Sequence, residues 1–249
     1  MNSEIFKKDT DIRRENIMLY QHGTLGTLMA GLLDGTMEMN EILKHGDLGI
    51  GTLTGSDGEV IILDGVAYHA DAHGNFKQLD GSEMTPFSTV TPFQPDVSFE
   101  VRHITDSEYV LNQTKSHAAS ENLFFAVKIS GKFENVHVRM MPKQEKPYTK
   151  LIESAKQQPE FHYDQIEGTI VGFYAPTLFH GIAAGGFHLH FVDRDKTVGG
   201  HVLDFEMNHG DVEISNIETL EQHFPVNNAT FLESDIDYST VHEDIKQSE

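Results

Sequence analysis

GGFHLHFVDRDKTVGGHVLDF, residues 185–205, decides how this chain is read. Phe187, Leu189 and Phe191 alternate with His188 and His190. Successive side chains of a strand point to opposite faces, so the three apolar residues face a core and both imidazoles face the other way. At a rise of roughly 3.3 Å per residue, the two histidines sit about 7 Å apart along one face and can converge on one ion. The polar DRDKTVGG that follows ends in Gly199-Gly200 and makes a hairpin loop. His201 opens the returning strand, and antiparallel pairing places it beside the first two. Three imidazoles with an open position is the pattern of a catalytic zinc site, whereas structural zinc is usually closed by four protein ligands. The hairpin therefore predicts a metal on His188, His190 and His201. The competing reading is a solvent-facing hairpin in a chain that holds 15 histidines.

Working outward, 249 residues suffice for one large domain or two small ones, and 38% hydrophobic with 23% charged residues is a globular rather than a disordered profile. A net charge of −21 argues against nucleic acid or an anionic membrane as partner, because the phosphate field would repel it. Without cysteine, a metal must be held by His, Asp or Glu, which suits zinc, iron or manganese. The N-terminus is polar and lacks a signal-peptide core, and no run approaches a transmembrane length, so the expected location is the cytoplasm.

Residues 1–16 read as a charged leader. Leu25, Leu28, Met29, Leu32 and Leu33 mark one face of a helix that ends near Gly35. A second helix is expected from an Asn40 cap to Gly46, followed by a meander of hairpins through residue 76. Residues 105–120 carry weak helical spacing and connect two halves. Strands are predicted at 123–130 and 134–141, separated by Ser130-Gly131-Lys132, and again at 168–174, 186–192, 201–206 and 211–217. A proline- and charge-rich stretch, 142–165, holds a short helix near 149–157, and the tail from Asp235 forms a last turn or two. The mixture predicts an α+β or mixed α/β architecture with the metal site on a β-hairpin. Its units are the leader 1–16, an N-terminal α/β unit 17–118, and a C-terminal metal-binding unit 119–249.

Other residues stand out beside the histidines. Glu59 follows a turn glycine at the mouth of a strand, and Thr52 lies in the glycine-rich approach to the same hairpin. By default they are a surface residue and a β-former. Arg139 shares a strand face with His137, and an arginine inside a strand of so acidic a chain suits a clamp for a carboxylate; the alternative is a structural ion pair. His22, His45 and His180 each precede a glycine and read as capping or packing residues. No nucleophile elbow, phosphate-binding loop or dinucleotide fingerprint is present, which disfavours serine hydrolases, P-loop enzymes and Rossmann dehydrogenases. A cupin-like oxygenase or isomerase is the nearest enzymatic rival, although Asp193-Arg194-Asp195 stands where its glutamate would be expected and His201 follows too soon. A metal- or metabolite-sensing module is the non-enzymatic rival.

Four blocks carry a family resemblance: LYQHGTLGTLMAGLLDG (19–35), HGDLGIGTLTGSDGE (45–59), NLFFAVKISGKF with NVHVRMMPKQ (122–144), and GFHLHFVDRDKTVGGHVLDF. In this order they resemble the α-acetolactate decarboxylases over most of the chain. The resemblance implies two closely joined α/β units with mixed sheets, a tail that returns to the active site, and a homodimer. It implies Zn2+ on His188, His190 and His201, joined by Thr52, Glu59, Arg139 and a glutamate of the tail. Glu249 is preferred there over Glu243, because the ending IKQSE is the closer match. The implied reaction is decarboxylation of (S)-2-acetolactate to (R)-acetoin in acetoin and butanediol biosynthesis. Arg139 would anchor the carboxylate, and Glu59 or Glu249 would deliver the proton.

Overall fold

In the computed structural model, which describes residues 16–236 and 239–248, the chain begins with β1 (Met18–His22) and a short helix, α1 (Leu25–Met29). Residues 1–15, most of the predicted leader, and Glu249 lie outside the described residues. Thr24 caps α1: its hydroxyl accepts from the Thr27 N–H at 3.2 Å while the Thr27 hydroxyl accepts from the Thr24 N–H at 3.3 Å. The helix stops well before the predicted Gly35. Gly31 takes φ +87°, and a Cβ there would meet the Thr149 carbonyl oxygen at 2.7 Å, so the chain turns away while the apolar spacing continues.

A two-residue strand, β2 (Met37–Glu38), precedes α2 (Met39–Ile42), which tightens into a 3₁₀ turn at Leu43–His45. Glu38, not Asn40, occupies the cap position and makes no side-chain cap bond; Asn40 lies inside the helix. The expected meander follows as β3 (Leu48–Leu53), β4 (Asp57–Leu63), β5 (Val66–Ala70) and β6 (Phe76–Gln78). After β7 (Met84–Thr85) and β8 (Phe87–Thr91) the chain leaves this sheet through β9 (Val97–Val101), β10 (Thr105–Asp106) and α3 (Ser107–His117), the helix that the weak spacing of 105–120 indicates.

Two predicted strand pairs are single strands. β11 (Phe125–Arg139) runs through Ser130-Gly131-Lys132, and β14 (Gly199–Asn216) joins 201–206 to 211–217. Gly131 pairs with Gly168 on one side and Gly210 on the other, and a Cβ on Gly131 would meet the His209 carbonyl oxygen at 2.2 Å. The glycines thus permit close approach of three strands and do not form turns. After α4 (Leu151–Ala155), β12 (Glu160–Ala175) starts well before the predicted 168, inside the proline- and charge-rich stretch. The chain ends with β13 (Gly186–Asp193), β14, β15 (Thr219–His223), α5 (Ala229–Glu233) and α6 (Val241–Ser248).

The strands assemble as a seven-stranded sheet, β15-β1-β8-β3-β4-β5-β6, and a six-stranded one, β10-β14-β11-β12-β13 with β9 on β14. β15 pairs parallel with β1 and the other pairs of that sheet are antiparallel, which makes it mixed. β9 and β10, from before residue 119, pair with β14; β15, from after it, pairs with β1. β13 also pairs with the start of β14, so the second sheet returns on itself. The predicted mixed α/β architecture is found, with strands dominating.

The main core lies between the sheets, with Leu48, Ile50 and Ile61 against Val127, Ile170 and Phe191, all 2% exposed or less. Burying each such side chain contributes about 1.5–3 kcal/mol. A second cluster joins Leu25, Leu28 and Met29 of α1, Leu151 of α4, Val241 and Ile245 of α6, and Phe87 and Met141. Val241 and Ile245 are four residues apart and share one helix face. No helix among the described residues is long and apolar enough to cross a membrane.

Candidate metal centre and catalytic cavity

Strand register builds the site. Arg139 of β11 pairs with His201 of β14, and His201 pairs on its other side with His190 of β13. Neighbouring strands are about 4.8 Å apart, so these three side chains form a row, with His188 two residues along β13 on the same face. The ring centroids are 5.4 Å apart for His190–His201, 4.9 Å for His188–His201 and 5.3 Å for His188–His190. One nitrogen from each ring lies within 4.8 Å of the other two, so the group can hold a metal ion.

The predicted parity holds: Leu189 and Phe191 are buried on the opposite face. The histidine face, however, is covered by β4 of the other sheet, which leaves His188 half-buried and His190 and His201 buried. His190 is 1% exposed and His201 3%. Burial, reinforced by the Arg139 charge, lowers the His188 pKa to about 3. Burial likewise holds His190 and His201 well below 6.5, with Arg139 and the other rings adding to it. All three are neutral at pH 7, the state that ligates metal.

His190 shows that these residues fit a metal. Its Nδ1 donates to the Val60 carbonyl at 2.8 Å, which assigns the tautomer and leaves the lone pair on Nε2. That Nε2 is buried and has no hydrogen-bond partner. Glu59 Oε2 lies 3.3 Å from it, but a neutral imidazole makes no ion pair, and two acceptors facing one another call for a cation or proton between them. An unsatisfied buried polar atom costs about 1–3 kcal/mol, which a bound ion would relieve. Three neutral imidazoles without thiolate suit zinc and its divalent neighbours.

A pocket surrounds the cluster. Thr52, Glu59, Arg139 and the three histidines all line it. Thr52, 5% exposed, donates its hydroxyl proton to the Gly58 carbonyl at 2.8 Å and ties down the β3–β4 turn. Glu59, 6% exposed, accepts the Met141 N–H at 3.1 Å through Oε1. Arg139 is equally buried and donates through Nη1 to Gln158 Oε1. Leu25, Leu28, Met29, Phe87 and Met141 supply an apolar wall. Where the sequence leaves Arg139 open between clamp and ion pair, the structure gives it a place in the cavity.

Other histidines lie elsewhere. His137 stacks on His162 at 3.9 Å and contacts Glu160 at 2.9 Å, and it does not line the cavity. His22 is fully buried between His223 and Thr36, and His45 stacks on Tyr20 at 3.6 Å. His180 accepts the Gly185 N–H and contacts the His242 carbonyl at 3.0 Å. These are packing roles, as expected. Glu243 is exposed on α6, and Glu249 lies outside the described residues. Sequence reasoning missed Ser56, which lines the cavity at 2% exposure with φ +54°; its Ser-Asp-Gly setting signalled only a turn.

The family model for alpha-acetolactate decarboxylase matches residues 19–238. This chain belongs to the alpha-acetolactate decarboxylase family. It is 45% identical over 235 residues to the alpha-acetolactate decarboxylase of Lactococcus lactis subsp. cremoris, covering 94% of this chain and 99% of that one. The crystal structure of the Bacillus subtilis strain 168 decarboxylase superposes with a TM-score of 0.90 at 37% identity, covering 93% and 99%. A crystallised Staphylococcus aureus protein similar to alpha-acetolactate decarboxylase gives 0.92 at 56% identity, covering 93% and 100%. Membership makes the chain a decarboxylase, a carbon–carbon lyase, and supports acetolactate as the acid it decarboxylates. The cupin-like and sensing-module readings fall away.

Proposed function

We propose that this chain converts (S)-2-acetolactate to (R)-acetoin and CO2 with zinc as its metal, in acetoin and butanediol biosynthesis, as a cytoplasmic homodimer. The observation that carries the reading is one cavity holding three neutral imidazoles, a buried arginine and a buried glutamate. His188, His190 and His201 would hold the zinc. Bound there, zinc supplies Lewis acidity toward the ketone and hydroxyl oxygens of the substrate.

The chain's own residues account for the rest. Arg139 binds the carboxylate and anchors it until it leaves. That bond breaks, its electron pair moves toward the ketone, and CO2 leaves. One proton must then be taken up to form the new C–H bond. Glu59, fixed by the Met141 N–H through one oxygen, presents its other oxygen toward His190 and is the carboxyl that moves this proton. Glu249 is retained as the second carboxyl; α6, which leads to it, packs on α1 and α4, whose residues line the cavity. The apolar wall keeps water out and gives the two faces of the intermediate different surroundings, which favours delivery to one face. Thr52 holds the turn beside Glu59.

The test is incubation of the purified protein with racemic acetolactate, followed by chiral analysis of acetoin, with and without chelator and after zinc is restored. The reading expects (R)-acetoin, loss of activity on chelation and recovery with zinc. No acetoin from the zinc-loaded protein would overturn it.

A further inference from the structure

We infer that Gln158 is a positioning residue that sets the Arg139 guanidinium for the substrate carboxylate, an inference resting on the acetolactate reading of the cavity. Gln158 lies between α4 and β12 and does not itself line the cavity. Its Oε1 accepts from Arg139 Nη1, and its Nε2 donates to the Ala155 carbonyl at 2.9 Å. Arginine offers only donors and a carbonyl only accepts, so the amide has one orientation that keeps both bonds. Ala155 closes α4, whose Leu151 is part of the cavity wall, so the guanidinium is tied to that wall. The backbone beside this link is also fixed: Met140 N–H donates to the Pro159 carbonyl at 3.2 Å, and Arg139 pairs with Glu160 in register.

The chemistry of the partner matters. A carboxylate at this place would form an ion pair with Arg139 and compete with the substrate's own carboxylate. A neutral amide orients the cation without discharging it. Gln158 therefore acts on affinity for the anion, through Arg139, and not on the bond-breaking step.

The experiment compares Gln158→Ala and Gln158→Glu with the wild type, each as the full zinc-loaded chain. It reads KM and kcat for acetolactate, and calorimetric Kd for 2-hydroxyisobutyrate, which has the carboxylate, and for acetoin, which lacks it. Gln158→Ala should raise KM and the 2-hydroxyisobutyrate Kd about tenfold, the value of one orienting hydrogen bond to a charged group. Gln158→Glu should raise both further, on the order of thirtyfold or more. In both variants kcat should stay within about threefold, and acetoin binding and Tm should match each other. A role confined to capping Ala155 is lost equally in both variants, since neither Ala nor Glu donates to that carbonyl. Equal KM values in the two variants, or equal weakening of acetoin, would overturn the inference. If the wild type made no acetoin, the acetolactate reading would fail, while the contrast between 2-hydroxyisobutyrate and acetoin would still judge the arginine link.

Discussion

His22 ties the stability of this fold to pH. It is fully buried; its Nδ1 lies 2.9 Å from His223 Nδ1 and its Nε2 2.7 Å from the Thr36 hydroxyl, while Ser88 of β8 pairs with it on the other side. Burial, and then the His223 ring, lower its pKa from 6.5 to about 4. A histidine depressed in the folded state is neutral there while the unfolded chain takes up the proton. Stability is therefore complete above pH 6.5 and falls as pH drops toward 4. With those two values the loss between pH 8 and pH 5 is about 2 kcal/mol, approaching about 3 kcal/mol below pH 4. For a chain of this size that is a Tm drop of about 4–8 °C. His22→Asn keeps a polar contact toward His223 but does not titrate. It should lower Tm at pH 8, yet lose about 4–8 °C less than the wild type between pH 8 and pH 5. Calorimetric melts of zinc-loaded protein at both pH values measure this, and contributions of the metal histidines cancel in the comparison. Parallel Tm losses in the two proteins would refute the reasoning.

Three further outcomes concern the cavity. His188→Ala should abolish both stoichiometric metal and turnover, because two imidazoles hold zinc poorly; retained zinc by elemental analysis with full activity would remove His188 from the site. Arg139→Ala should keep its metal while kcat/KM for acetolactate falls about 10²-fold or more, the value of a charge-assisted contact inside a buried cavity, and an unchanged kcat/KM counts against the clamp. Glu59→Gln preserves the acceptor for the Met141 N–H but cannot shuttle the proton as a carboxyl does. It should lower kcat about 10²–10⁴-fold with metal content intact, whereas a wild-type kcat would move the proton to another group.

What can be read from the sequence follows the range of the forces involved. The alternation at Phe187–Phe191 is local and has period two, so the histidine face is legible from five consecutive residues. Arg139 is legible because a cation inside an apolar strand of a chain with charge −21 is conspicuous. Gly131 misleads, because a glycine that lets strands approach leaves the same local trace as one that makes a turn. At the start of α2 the Met39 N–H bonds the Glu83 carbonyl, and after α1 Gly31 passes close to the Thr149 carbonyl, both approaches from far along the chain. Gln158 sits in a polar stretch, and only the return of β12 beside β11 brings it to Arg139. The parallel pairing of β1 with β15 spans about two hundred residues and has no local signature.

The cavity also reconciles a strongly acidic protein with an anionic substrate. A net charge of −21 repels acetolactate at long range, though at physiological ionic strength that field is screened beyond about 8 Å. Within the cavity the balance reverses: Arg139 is buried beside three rings held neutral by their surroundings, and a divalent ion on those rings adds positive charge where screening is weak. On the proposed reading the carboxylate that is attracted there is the group that leaves as CO2. Acetoin is neutral and keeps none of the affinity that Arg139 gave the substrate, so the charge change in the reaction itself drives release. By the same balance, an anion fixed at position 158 would weaken the attraction that Arg139 offers the substrate carboxylate, whereas the neutral amide of Gln158 leaves that charge in place.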